Sequence, residues 1–368
     1  MTNFFYDEFA EGISLNSRIE RALSWYYGIL RGRYPPKYKI ARSLEVDVKL
    51  TSLSLQELWS LHEEFEKEFH KLSNDIMKDE SIELRDSSNN SYLDLKIEIL
   101  KRMLTNCEYC ERKCGSNRLT DKGKFCKVDY KTYISSYFLH YGEEYPLVPS
   151  GTIFYSGCNL RCVYCQNYEI SQSFPLKGKV VAPQQLAAIQ DKLVKEGAKN
   201  INHVGGEPTP YTHAIVESFK YLKTNTPQIW NSNFYMSEKL TILLRDLIDL
   251  WLPDFKYWDD SHAIVLSAAP RYREAVIRNL LLIENEGSII LRHLVLPNHV
   301  KCCSIPIIEW LSKNMPKDWL VVNIMDQYYP TYRVLSESER WRDLNRKVRK
   351  DEYFEVVDYA AKEDLILI

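Results

Sequence analysis

A chain of 368 residues is too long for one small module and comfortable for a barrel-sized domain with an additional piece. Hydrophobic residues make up 45% and charged residues 27%, enough apolar mass for a buried core, and the formal charge of −2 gives no long-range electrostatic case for nucleic acid or an anionic membrane. No 18-residue apolar run occurs, and the acidic start from Met1 to Gly12 lacks a basic stretch, which argues against a membrane span or secretory signal and for the cytoplasm.

Residues 1–105 are charged, Tyr-rich and helical by pattern. Ser54 and Glu57 have capping-box spacing, and Leu55, Leu58, Leu61, Phe65, Phe69 and Leu72 follow at helical intervals. A polar stretch, Arg85 to Ser91, interrupts the pattern before a second amphipathic run, Tyr92 to Leu104. This region reads as a helical extension packed on a main domain, with a partner-docking surface as the alternative. Residues 106–149 form a Cys-rich segment.

From residue 150 to 368 strand and helix alternate. Short β-branched or aromatic runs fall at Thr152–Tyr155, Ile201–Val204, Gln228–Asn231, Trp251–Phe255, Ile289–Leu296 and Trp319–Ile324. The first intervening helix shows its boundaries: Pro183 opens it, Leu186, Ile189, Leu193 and Val194 turn inward, and Gly197 stops it. Six such units predict an α/β fold with a parallel sheet, a partial (βα)6 TIM-like barrel rather than a closed eight-unit one, followed by a C-terminal helix. Chemistry is expected at the C-terminal ends of the strands.

Nine cysteines are an odd count, and in a reducing compartment their tight spacing disfavours disulfides. Cys302 and Cys303 are adjacent and fit no ligand spacing, so they read as structural. The other seven fall in two clusters. Cys158, Cys162 and Cys165 follow the first strand with C-x3-C-x2-C spacing. Thiolates so spaced can wrap one face of an iron–sulfur cube, and three ligands leave one iron open to a chelating substrate. A zinc ion pinning the loop is the alternative; the spacing, the aromatic Tyr164 before the third cysteine and the strand-end position favour the cluster. Cys107, Cys110, Cys114 and Cys126, with Gly115 and Gly123 between them, suit a structural zinc or an auxiliary [4Fe–4S] cluster, and spacing does not decide between these and chance clustering. Gly205-Gly206-Glu207-Pro208-Thr209 ends the second strand, where two glycines permit close backbone approach and a carboxylate suits a cation.

The cysteine run with its aromatic resembles the signature of the radical S-adenosylmethionine (SAM) superfamily. From Cys107 to the end, the chain is most similar to pyruvate formate-lyase activating enzyme-like proteins, which activate glycyl-radical enzymes. Similar proteins also share pieces of the Cys-rich segment and the Gly142-Glu143-Glu144 stretch. The resemblance implies a [4Fe–4S] cluster on Cys158, Cys162 and Cys165, with SAM chelating its unique iron. It places Gly205, Gly206, Glu207 and Pro208 around the SAM ammonium, Asn231 and Asn233 at the ribose region, and Asp254 and Lys256 in an activase-type D-x-K motif. Arg292 would lie near the SAM carboxylate or ribose, while Asn323 and Gln327 would line the pocket. For each of these later polar residues, a satisfied strand-end group is the plainer reading. His293 alternates with Arg292 and is expected to point away from it. One departure is Asn231, where activases usually carry Asp, which puts their monovalent-cation site in doubt here.

The resemblance implies an enzyme in which a one-electron donor, such as flavodoxin or ferredoxin, reduces the cluster. SAM is then cleaved to methionine and a 5′-deoxyadenosyl radical that abstracts hydrogen from a substrate. The leading substrate is a glycine Cα of a partner glycyl-radical enzyme. The alternatives are modification of another protein or a small molecule, or a metal-stabilised binding or electron-transfer protein without SAM chemistry. The intact cysteines and Gly205–Pro208 run weigh against that last reading.

Overall fold

The computed structural model describes residues 15–285 and 288–368; the acidic start from Met1 to Gly12 lies outside the described residues. Helices α1 (Leu15–Ala22), α2 (Ser24–Leu30) and α3 (Lys37–Ser43) lead to a small antiparallel pair, β1 (Glu45–Val46) with β2 (Asn90–Ser91). Between those strands runs α4 (Leu55–Lys78), and after them α5 (Tyr92–Met103). The remainder is β3 (Thr132–His140), β4 (Ser150–Tyr155), β5 (Lys179–Val181), α6 (Pro183–Lys195), β6 (Asn200–Gly205), α7 (Thr212–Ser218), β7 (Gln228–Ser232) and α8 (Glu238–Arg245). It continues with β8 (Leu250–Pro253), α9 (Asp260–Ser267), α10 (Tyr272–Ile283), β9 (Ser288–Leu294), α11 (Ile305–Asn314), β10 (Leu320–Met325), α12 (Arg333–Ser336), α13 (Lys350–Lys362) and β11 (Ile366–Leu367).

The Ser54–Glu57 capping box is formed, and Ser91 with Asp94 makes a second one at the head of α5, so both long helices start where their orphan N–H groups find side-chain acceptors. Leu58 and Phe69 face inward as the periodicity predicts. Leu55 does not: at the first helical position it lies before the buried stripe and stays exposed.

All six expected parallel strands are present, with ends displaced by one or two residues. They lie side by side in chain order, β4-β6-β7-β8-β9-β10, and every neighbouring pair is parallel. Beyond β10 the sheet gains β11, and beyond β4 the antiparallel β3 and β5, so the ladder is open between β11 and β5. These three additional strands were not anticipated, because β5 and β11 are too short to show a period and β3 lies within the Cys-rich segment.

β7 and β8 are buried at every residue, as parallel strands covered on both faces must be. One face carries Ile229, Leu250, Leu252, Ile290, Val321 and Ile366, and against it pack Ile19, Ala22, Leu23 and Tyr26 from the first two helices. Residues 15–30 thus belong to the sheet's own core. The opposite face, with Trp230, Trp251, Leu291 and Val322, joins the large core that also takes in α4 and α5.

At the N-terminal ends of the strands the extension is locked by polar groups. Asp249 accepts from Trp25 Nε1 (3.1 Å), Lys37 N (2.9 Å) and Gln228 N (2.8 Å). Asp246 accepts from Lys96 Nζ (2.9 Å) and Tyr92 OH (2.7 Å), and His62 Nε2 lies 2.8 Å from the same ammonium. Among the described residues, no helix is long and apolar enough to cross a membrane.

Candidate active site

The C-terminal end of β4 runs directly into the cysteine loop. Cys158 is buried while Cys162 and Cys165 are half-buried. Leu160 N donates to Cys158 Sγ at 3.3 Å and Asn233 Nδ2 points to the same sulfur from 3.6 Å. Ser267 Oγ, at the end of α9, donates to Cys162 Sγ at 3.0 Å, and Ser171 Oγ lies 3.3 Å from Cys165 Sγ. Donors brought from several elements to three sulfurs suit thiolates rather than thiols. Burial pushes the Cys158 thiol well up, with Glu207 and Cys162 acting the same way. Cys162 is pushed up to about 11 by burial, against the pull of the Lys256 ammonium. A positive metal centre is what would reverse that protonation. The three Sγ atoms do not all lie within 4.8 Å of one another, as the ligands of one ion would. Three cysteines on one loop, with an amide donating to Cys158 and a hydroxyl to Cys162, fit the ligand set of an iron–sulfur cluster.

The Gly205–Gly206 turn serves this loop through its backbone. Gly205 has φ +123°, and a Cβ there would overlap the Tyr155 backbone, while one on Gly206 would overlap the Gly157 carbonyl. Glycine at both sites lets the ends of β4 and β6 touch. Glu207 is buried, and burial raises its carboxyl above the ordinary value. Its Oε1 accepts from Ser232 Oγ (2.6 Å) and Thr209 Oγ1 (2.6 Å), and its Oε2 from Asn233 N (3.0 Å). The carboxylate expected to receive an ammonium therefore also ties β6 to the end of β7. Pro208 follows in helical conformation and opens the turn Thr209–Tyr211.

Asn233 does more than its strand-end position suggested: besides Cys158 it donates to Asn159 Oδ1 at 2.7 Å. Asn231 is buried on β7, two residues from Ile229 and so on the same face. Lys256 Nζ donates to Asp254 Oδ2 at 2.6 Å. Burial pulls this ammonium's pKa down, but Asp254, Cys162 and Cys165 outweigh it and hold it above the ordinary value. The D-x-K motif therefore brings its cation to the cysteines.

Arg292 is held by two glutamates. Its Nε and Nη2 donate to Glu144 Oε1 (2.7 Å) and Oε2 (2.6 Å), and Nη2 also meets Glu143. Asn323 Nδ2 joins Glu144 at 2.7 Å and Asn202 Nδ2 joins Glu143 at 3.1 Å. The Gly142–Glu144 turn thus crosses the sheet from β6 to β10 through side chains. His293 points away, as alternation predicts, with Nδ1 2.7 Å from Phe255 O and Nε2 2.8 Å from Ser304 Oγ. Gln327 contributes its carbonyl to Gln166 Nε2 at 3.3 Å.

Sequence reasoning missed a hydroxyl chain. Tyr164 OH meets Tyr257 OH, which lies 2.7 Å from the Ser267 Oγ that donates to Cys162. It also missed the clamp on the loop: Arg161 donates to Cys158 O (2.9 Å) and Leu160 O (2.8 Å), and both Arg161 and Arg112 lie over the Phe125 ring. Arg161, inside the cysteine motif, was the one member with a positional signal.

The second cysteine set sits against the loop after β7, where Cys110 pairs with Met236 and Ser237 N donates to Tyr109 O. Cys107 and Cys114 share a hydrogen bond that raises the first thiol and lowers the second to about 4. Burial pushes Cys110 up to about 12. The buried Arg118 guanidinium stands 3.9 Å from Cys107 Sγ.

The family model described as the radical SAM superfamily matches residues 152–311, from the first parallel strand through α11. An uncharacterized protein of Methanocaldococcus jannaschii is 38% identical over 356 residues, covering 94% of this chain and 99% of that protein. A Haemophilus influenzae protein named "Putative glycyl-radical enzyme activating enzyme" is 33% identical over 110 residues, 28% of this chain and 40% of its own. Among solved structures, Streptococcus suis SuiB bound to precursor peptide SuiA overlaps with TM-score 0.43 at 14% identity, covering 82% of this chain and 60% of that one. A spore photoproduct lyase with bound AdoMet overlaps with TM-score 0.44 at 12% identity, covering 61% and 76%. These structural overlaps are too loose to transfer a site or substrate. The matched span holds the three strand-end cysteines and the Gly205–Glu207 turn, so the chain carries a radical SAM superfamily domain.

Proposed function

We propose that the chain is an activase-like radical SAM enzyme that abstracts hydrogen from a glycine Cα of a partner enzyme. The observation that carries the enzyme reading is the convergence of Leu160 N, Asn233, Ser267 and Lys256 on thiols at the end of the first parallel strand. The shared stretch with the Haemophilus influenzae protein supports the glycine substrate. Cys158, Cys162 and Cys165 would hold a [4Fe–4S] cluster, which with bound SAM supplies one-electron reduction and a carbon-centred radical.

The chain's own work is positioning and exclusion of water. Asn233 and Ser267 orient the sulfurs through hydrogen bonds, and Lys256 offsets their negative charge. Gly205 and Gly206 keep backbone beside the loop free of side chains, leaving Asn231, Asp254 and the Glu207 carboxylate as polar contacts for the cofactor's amino acid and ribose. Tyr164, buried against Tyr328, closes the apolar side. Cys107, Cys110, Cys114 and Cys126 would hold a zinc ion or second cluster bracing the loop after β7. A flavodoxin- or ferredoxin-type donor would supply the electron.

The deciding experiment is anaerobic: reconstituted protein, a strong one-electron reductant and SAM, with 5′-deoxyadenosine detected by mass and a Cys165→Ala control. Product lost in the control supports the enzyme reading. No product together with no SAM binding overturns it. A radical signal on a glycine of the candidate partner supports the activase reading, and product without any such signal favours another substrate.

A further inference from the structure

Cys302 and Cys303 look idle in sequence, yet folding gives them company. They lie in the turn Val300–Ser304 after β9, and His262 stands at the start of α9 after β8. The ligand atoms of His262, Cys302 and Cys303 all lie within 4.8 Å of one another. Cys303 Sγ is 3.6 Å from His262 Nδ1. In a tetrahedral zinc site with ordinary Zn–S and Zn–N lengths, a sulfur and a nitrogen ligand are separated by about 3.6 Å.

Two further observations point the same way. The His299 ring stands edge-on against His262, with centroids 4.6 Å apart. Its Nδ1 donates to Pro297 O at 2.7 Å, which fixes the ring that packs against His262. Cys303 is buried whereas His262 and Cys302 are half-exposed, so an ion has an entry path.

We propose that His262, Cys302 and Cys303, with the His299 ring packed edge-on against His262 to hold it in place, form a three-ligand zinc-class metal site on the rim of the sheet, its fourth position open to water and separate from both other cysteine sets. Two sulfurs and one imidazole select a borderline-soft tetrahedral ion. Binding Zn2+ displaces two thiol protons and leaves the site neutral. The ion would clip the turn after β9 to the first turn of α9, and α9 ends in Ser267, the residue that donates to Cys162. This inference does not depend on the activase reading.

The test uses anaerobically prepared full-length protein exposed to Zn2+ and then desalted, with zinc and iron per chain measured by atomic mass spectrometry. Three variants are compared with wild type: Cys302→Ser with Cys303→Ser, His262→Gln, and His299→Gln. The expected result is loss of about one zinc per chain in the serine double variant and in His262→Gln. Iron content and far-ultraviolet circular dichroism should match wild type, and zinc on the Cys107–Cys126 set would persist in every variant. His299→Gln should weaken zinc retention roughly tenfold or more against a competing chelator. Equal zinc in wild type and the serine variant, or no zinc retained by wild type, overturns the proposal.

Discussion

The two ends of the parallel strands spend buried charge differently. At the N-terminal end Lys96, Asp246, Tyr92 and His62 bond to one another and tie two long helices to the sheet, with His62 Nδ1 and Asp246 Oδ1 left without a hydrogen-bond partner. At the C-terminal end the buried groups are three thiols with donors aimed at them and a lysine beside them. One end pairs its lysine with a carboxylate; the other gathers cysteines that carry no such partner charge of their own beyond Lys256. Closed buried ion pairs stabilise through geometry, while an open set of ligands is costly until its partner arrives.

The largest expected effect lies at the open end. Cys165→Ala should lower SAM cleavage by about a hundredfold or more and reduce bound iron, while the denaturation midpoint of the metal-free chain stays near wild type. At the closed end the pattern reverses. Asp246→Ala leaves Lys96 buried and unpaired, and should cost about 3–5 kcal/mol of stability in denaturant titration. Iron reconstitution of the fraction that folds should stay unchanged. If instead the stability loss is small, the extension is held by its apolar faces alone.

Acid should also distinguish the closed, structural groups. Burial lowers His203 and His293 to about 4 and His213 to about 3. Their neutral forms add stability that is fully present above pH 6.5 and is lost as pH falls toward 4, each with a slope of about 1.4 kcal/mol per pH unit. Asp249, raised to about 6 by burial, works oppositely: its contribution is present below the ordinary carboxyl range and fades as pH rises through 6. Three histidines outweigh one aspartate, so the urea midpoint of the metal-free chain should fall between pH 6.5 and 5. A flat profile would show that water reaches these histidines. The smallest effect concerns a single hydrogen bond. Ser267→Ala should shift the cluster's midpoint potential down by on the order of tens of millivolts with iron content unchanged, read by redox titration of the electron paramagnetic resonance signal.

The six strands and the cysteine loop were legible because each leaves a local mark: β-branched runs bounded by turn residues, and a fixed cysteine spacing. Ser267, Tyr257 and Arg112 left none, and the Gly142–Glu144 stretch stood out only as a shared piece, since its side chains act on residues far away in the chain. Arg292 could be assigned to a strand but not to a partner, because two glutamates some 150 residues earlier reach it. The meeting of Cys302 and Cys303 with His262 was hidden for the same reason: adjacency in sequence says nothing about a histidine arriving from another element.

Arg18 reaches Asp364 at 3.0 Å, and Ile19 shares its core with Ile366. The path of the backbone thereby nearly closes into a ring on the side opposite the cysteines. Opening the backbone in the polar Arg85–Asn89 stretch while an added linker joins Leu15 to Ile368 should therefore keep every strand neighbour.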